Sequence, residues 1–168
     1  RSDSILQIAS DNSLKEVVLV EDSMGGFLEA YKKFESLGIQ LIFGLRLSLC
    51  DEYVEGSTPE SFHKVIIFMR NGAEYKNLIK IYTEAFSENN GCIPISSFRK
   101  LWNPKNLKLA VPFYDGFLHV NLTTFSGCVA DLREFSPVFF IESNDLPIDK
   151  ILKEKVISYC QKNKVKTQ

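Results

Sequence analysis

Histidine is scarce in this sequence: the 168 residues include only His63 and His119. A cluster of divalent ions needs several neutral imidazoles and carboxylates that converge, because each ion must replace lost water with donor atoms. Two imidazoles argue against a histidine-rich metal centre built from this chain alone. Cysteine is sparse as well. Cys50, Cys92, Cys128 and Cys160 are widely separated, which excludes paired zinc spacings and small disulfide scaffolds and fits reduced thiols in a cytosol. No apolar run reaches spanning length, and the opening RSDSILQIAS lacks the basic-then-apolar order of a secretion signal. The expectation is a soluble, cytoplasmic protein without membrane contact. Charge excess of either sign is also missing. A formal net charge of -1 and a pI near 6.2 give no global attraction for phosphate backbones. Nucleic-acid contact must therefore come from a local patch or a neighbouring domain. The pair Gly25-Gly26 belongs to no Gly-x-Gly-x-x-Gly or Gly-Lys-Ser/Thr pattern, so a nucleotide cradle is not expected there.

What is present is ordinary globular material, 45% hydrophobic and 24% charged, enough for one core and short for two. A single domain over residues 1–168 is expected. Ile5, Ile8 and Ala9 recur at helical spacing behind Ser2 and Asp3 as caps, and the run EVVLV then predicts a strand. Phe27, Ala30, Tyr31, Phe34 and Leu37 mark one face of a helix, with Gly38 where a left-handed terminal residue is wanted. QLIFGLRLSL and KVIIFM predict strands joined by the polar loop CDEYVEGSTPES. A helix follows over Gly72 to Ser87, and ISSFRKLWNP predicts a short one capped by Ser96 or Ser97. LKLAVPF and PVFFIES are further apolar runs. The second leads into a helix with the stripe Ile148, Ile151, Leu152, Val156, Tyr159 and Cys160. GFLHVNLTTF fits neither period cleanly. At CQKNKVKTQ a helix is finishing and another strand is expected, which reads as part of a longer polypeptide.

Apolar runs alternating with helices imply a mostly parallel sheet with outer helices, in which function collects at the carboxyl ends of the strands. The turn Glu21-Asp22-Ser23 falls at one such end. It has two readings: a catalytic or metal-binding acid pair, or a helix cap in which Asp22 or Ser23 accepts from free N–H groups of the GGFLEAY helix. Asp115 in PFYDGF and Glu142, Asn144 and Asp145 in IESND also follow strands. Turn chemistry accounts for them, and Asp115, Glu142 and Asp145 are also the reserve of ligands for a reduced metal site. Arg99, Lys100 and Trp102, with Lys105 and Lys108, combine cations and an indole that could engage single-stranded nucleic acid. A solvated helix face with a buried indole is the plainer alternative. His63 is expected at the surface, His119 partly buried.

In order along the chain, VVLVEDSMGGFLEAYKKFESLGIQLIFGLRLSL, KVIIFMRNGAEYKNLIKI, FSGC and FFIESNDLPIDKILKEKVISYC resemble the PHP (polymerase and histidinol phosphatase) domain of bacterial and phage DNA polymerase III alpha subunits. The resemblance implies a distorted β/α barrel that holds metal ions for phosphoester hydrolysis or proofreading, or a decayed structural version of it. The family's opening His-x-His has no counterpart here. Its Thr-Asp-His corresponds to Glu21-Asp22-Ser23, its Gly-x-Glu to Gly44-Leu45-Arg46, and a strand-opening histidine to Lys64. Ser126-Gly127-Cys128 matches the family's Ser-Gly-Cys, which makes Cys128 a candidate ligand alongside its reading as a small buried residue. The family's late Asp-x-His lies beyond this chain.

Ser23, Arg46 and Lys64 thus stand where ligands are replaced. A guanidinium has no lone pair to offer, and cations in ligand positions repel metal. Arg46 is expected to form a buried pair with Glu21 or Asp22 in place of metal bridges. The leading expectation is an incomplete PHP-like barrel without metal cofactor, a scaffold in a DNA polymerase III alpha-type replicase of a bacterial cell or phage-infected host. Its partners would be the remaining polymerase domains and a proofreading exonuclease subunit, with weak or no DNA binding of its own. Two alternatives stand. One is a phosphoesterase or 3'–5' exonuclease using zinc, manganese or magnesium, completed by residues outside this chain, with Glu21, Asp22 and Cys128 as catalytic candidates. The other is a free-standing binding module.

Overall fold

The computed structural model describes residues 4–51, 62–69, 75–88, 91–124 and 131–168. Helix α1 (Ile5–Asp11) leads into strand β1 (Glu16–Glu21), helix α2 (Phe27–Ser36) and the long strand β2 (Gln40–Cys50). Strand β3 (Phe62–Met69) follows, then helix α3 (Tyr75–Thr83), which widens into a π-helical turn at Glu84–Glu88. Strand β4 (Cys92–Pro94), helix α4 (Ile95–Leu101), strand β5 (Leu107–Val111) and helix α5 (Phe117–Thr123) come next. Strand β6 (Val138–Phe139), helix α6 (Asp149–Asn163) and strand β7 (Lys166–Thr167) complete the order. The ambiguous GFLHVNLTTF thus holds a helix over Phe117–Thr123. The strand expected after the last helix begins within the chain as β7.

The seven strands form one sheet in the order β1-β2-β3-β5-β6-β7, with β4 paired to β2. Four pairings are parallel, and only β3 runs antiparallel to its neighbours β2 and β5. The sheet is mostly parallel, helix-covered and not closed into a barrel. Because β3 is reversed, its amino end lies beside the carboxyl end of β2, with Lys64 opposite Ser48. Lys64 N–H also donates to the Asp115 carbonyl at 2.7 Å, just past β5. One rim of the sheet therefore gathers the carboxyl ends of β1, β2 and β5 with the amino end of β3.

Side-chain alternation along β2 explains both the core and the site. Leu45, Leu47 and Leu49 are buried against Leu78, Ile81, Phe98, Phe117, Leu152 and Val156 from the helices, each contributing about 1.5–3 kcal/mol. Gly44, Arg46, Ser48 and Cys50 point the other way. A second cluster of Ala9, Val17, Phe34 and Ile39 joins α1 and α2 to β1. Helix α2 ends as its sequence demands. Gly38 takes a φ of 67°, while Ile39 N–H reaches the Phe34 carbonyl and Gly38 N–H that of Glu35.

Several local expectations are corrected. Ser4 caps α1 through a 3.2 Å bond from Gln7 N–H, whereas Ser2 and Asp3 lie outside the described residues. Helix α4 starts at Ile95 without a side-chain cap from Ser96 or Ser97. Ile151 of α6 is 54% exposed, because the buried stripe follows Leu152, Val156 and Cys160. His63 is buried, not at the surface. Alternation in β3 turns it to the helix-covered face, where its ring meets Phe117 edge-on at 5.9 Å.

Candidate functional site

Parallel pairing of β1 with β2 sets Glu21 opposite Leu45, so the next residue, Asp22, arrives beside Arg46. The guanidinium grips the carboxylate with two bonds, Nε to Oδ1 at 2.7 Å and Nη2 to Oδ2 at 2.9 Å. This fork geometry suits Arg and carboxylate and leaves neither carboxylate oxygen without a charged donor. The Arg46 hydrogen bond is the main reason the Asp22 carboxyl titrates below its ordinary range, with the charges of Arg46 and Lys64 adding to it. Arg46 is pushed up in turn, chiefly by Asp22, then by the charges of Asp115 and Glu21.

The pair is not the buried one that was expected. The Arg46 and Asp22 side chains are 45% and 59% exposed, because among the described residues no helix covers this face of the β1–β2 edge. Water therefore screens the attraction, and an exposed pair is worth about 0.2–1 kcal/mol. Arg46→Met is expected to lower stability by no more than about 1 kcal/mol in urea unfolding. A loss of several kcal/mol would show the pair to be a structural keystone.

The capping role foreseen for Asp22 or Ser23 is also absent. Helix α2 is capped at Gly26, in a left-handed conformation with φ 80° and without a side-chain bond. The turn through Gly25 and Gly26 carries the chain past both side chains before the helix begins. Asp22 is engaged by Arg46, and Ser23 is exposed. Glu21 is exposed as well, on the opposite side of β1 from Asp22. Lys64 is half-buried on the Arg46 face, and its ammonium makes no hydrogen bond or ion pair with a described residue.

Past β5, Asp115 adopts a left-handed φ of 60°, and its N–H donates to His119 Nδ1 at 3.1 Å. That nitrogen must carry a lone pair, so a neutral His119 holds its proton on Nε2. Beside it, Tyr114 donates to Asp149 Oδ1 at 2.6 Å. The other Asp149 oxygen accepts from Asn144 N–H at 2.8 Å and Leu146 N–H at 3.1 Å. The Tyr114 hydroxyl is the main cause of a lowered Asp149 carboxyl, with the two N–H groups helping. Asp149 is a residue that sequence reasoning missed, since its partner Tyr114 is remote in the chain. Glu142 accepts weakly from Asn144 Nδ2 at 3.4 Å, and Asp145 adopts a left-handed φ of 58°. The carboxylates after β5 and β6 are thus joined mainly to their own loops.

The basic-aromatic segment is differently employed. Arg99 binds Glu134 with Nε and Nη2, and the Trp102 ring packs against Phe98 and Phe135 at 5.3 and 5.4 Å. Its face is occupied by protein. Lys100 remains exposed. Cys128 lies outside the described residues.

Among the described residues, no three His, Cys, Asp or Glu side chains converge so as to hold a metal ion. Arg46 occupies both Asp22 oxygens, and Lys64 adds a second cation nearby. These residues do not fit a metal cluster.

The PHP domain matches residues 1–130. The chain belongs to the PHP domain family. No curated protein matches it. The PHP domain is a metal-dependent phosphoesterase-type fold, and the matched stretch contains β1 to β5 with the whole Asp22–Arg46–Lys64 rim. Among its described residues, no helix is long and apolar enough to cross a membrane.

Proposed function

We propose that this PHP domain works without metal-dependent hydrolysis, as a structural module of a DNA polymerase III alpha-type replicase. The observation that carries the first half is the two-bond grip of Arg46 on Asp22. A permanently charged guanidinium supplies the positive charge that metal would bring but offers no coordination site for water or a phosphoryl oxygen. Lys64 increases the cost of bringing a divalent ion to the same rim. The second half is supported by the resemblance of the VVLVEDSMGGF, KVIIFM and FSGC segments to such replicases. On this reading the partners are the polymerase body and a proofreading exonuclease, and no metal cofactor is required. The test is a phosphoesterase and 3'–5' exonuclease assay supplemented with manganese or zinc. The parent and Asp22→Ala chains are expected to be equally inactive. Turnover by the parent that Asp22→Ala abolishes would establish the hydrolytic reading instead.

A further inference from the structure

Two buried thiols share the sheet face that carries Arg46. Strand β2 has β3 on one side and β4 on the other, and Ser48 stands opposite Lys64 in the first and opposite Cys92 in the second. Directly opposed residues present their side chains to the same face, so Lys64, Ser48 and Cys92 form one row across three strands. Cys50, two residues beyond Ser48, returns to that face. The sulfurs meet there: the Cys92 thiol donates a hydrogen bond to the Cys50 sulfur. Cys50 is 2% exposed and Cys92 8%. Strand β4, which carries Cys92, pairs with β2 and with no other strand of the described sheet.

Apolar packing does not account for the pair. Cys160 belongs to the main core with Leu152 and Val156, whereas Cys50 and Cys92 belong to neither apolar cluster. Burial and then the hydrogen bond to Cys50 push the Cys92 thiol up, and the Lys64 charge pulls it back. Burial raises Cys50 too; the bond from Cys92 opposes this and the Asp51 charge adds to it. Both thiols are therefore neutral, while half-buried Lys64 has no ion pair or hydrogen bond with a described residue. A ligand that converts the thiols into a single negative charge would balance it. Two thiolates around a monovalent metal ion have that charge, and sulfur donors select soft ions. Zinc would require four ligands. Among the described residues no third His, Cys, Asp or Glu joins the pair, and His63, opposite Leu49, faces away from it. Copper(I) is satisfied by two sulfurs in line.

We propose that Cys50 and Cys92 bind copper(I) as a two-coordinate bis-thiolate whose negative charge is balanced by Lys64. Each thiol gives its proton to solvent, two S–Cu bonds form, and no electron is transferred. The proposal does not rest on whether the Asp22 rim hydrolyses anything. The test is titration of the 168-residue chain with copper(I), under ascorbate and without oxygen, in competition with the chromophoric chelator bicinchoninate. The parent should retain one ion per chain, and Cys50→Ser and Cys92→Ser should each release it. The Cys128→Ala, Cys160→Ala double variant keeps only the proposed pair and should retain the ion. X-ray absorption of the loaded double variant should show two sulfur neighbours and no nitrogen. Lys64→Gln should weaken binding about tenfold, as expected for a charge about 10 Å away across two strand spacings. Failure of the parent to retain copper(I), retention by either serine variant, or loss by a folded double variant overturns the proposal. So does a nitrogen or third sulfur neighbour in the absorption spectrum, or an unchanged affinity in Lys64→Gln.

Discussion

Lowering the pH from 6.5 toward 4 is expected to remove about 3 kcal/mol of stability, and a His63 variant should lose most of that dependence. His63 is 2% exposed, and burial pushes its imidazole down from 6.5 to about 4, with the Asp51 charge opposing weakly. An unfolded chain binds a proton at His63 throughout this window while the folded chain resists it. Stability therefore rises with pH through the interval, is fully present above about 6.5, and is lost as the pH falls. Asp22 and Asp149 have lowered carboxyls, so their contributions decline in a more acidic window. Urea unfolding of the parent and of His63→Gln across this range gives the result as a slope, which separates titration from the packing lost in the variant. Equal slopes would show that the ring is reached by water and protonates in the folded state.

Gly116→Ala should cost about 1–3 kcal/mol, near the upper end, because the obstacle is backbone. A Cβ at Gly116 would lie 2.5 Å from the Pro112 carbonyl oxygen and 2.9 Å from a Val111 methyl. Its φ of -69° is available to any residue, so the strain is one of space alone. The turn from β5 to α5 would have to open, displacing Asp115 and His119 with it. Gly25→Ala is the matched comparison, since its nearest contact is Ser23 Oγ at 3.4 Å. The urea midpoint should fall markedly for Gly116→Ala and little for Gly25→Ala. Equal midpoints would mean that the β5–α5 turn is loosely packed.

Apolar runs carried much of the architecture into view. EVVLV and QLIFGLRLSL read as strands because β-branched and leucine-rich stretches bounded by turn residues suit a covered sheet. Direction is another matter. KVIIFM has the same composition whichever way it runs, and the register that runs from Gly44 opposite Phe68 to Cys50 opposite Phe62 fixes β3 as antiparallel. Arg46 and Asp22 were legible as partners because adjacent parallel strands place them on one rim. Their exposure was not, since alternation identifies a face without saying what covers it. Asp149 was hidden for a related reason: its partners Tyr114 and Asn144 meet it only when β5, β6 and α6 assemble. His63 was misplaced because a histidine at the start of a strand reads as surface, whereas alternation carries its ring into the core.

The central claim is that a guanidinium holds the carboxylate that a metal-dependent PHP domain would give to an ion. Elemental analysis of the chain after incubation with manganese or zinc and removal of free ions tests this most directly. The account predicts substoichiometric metal that is indifferent to Asp22→Ala. One or more ions bound per chain, and lost in that variant, would contradict it.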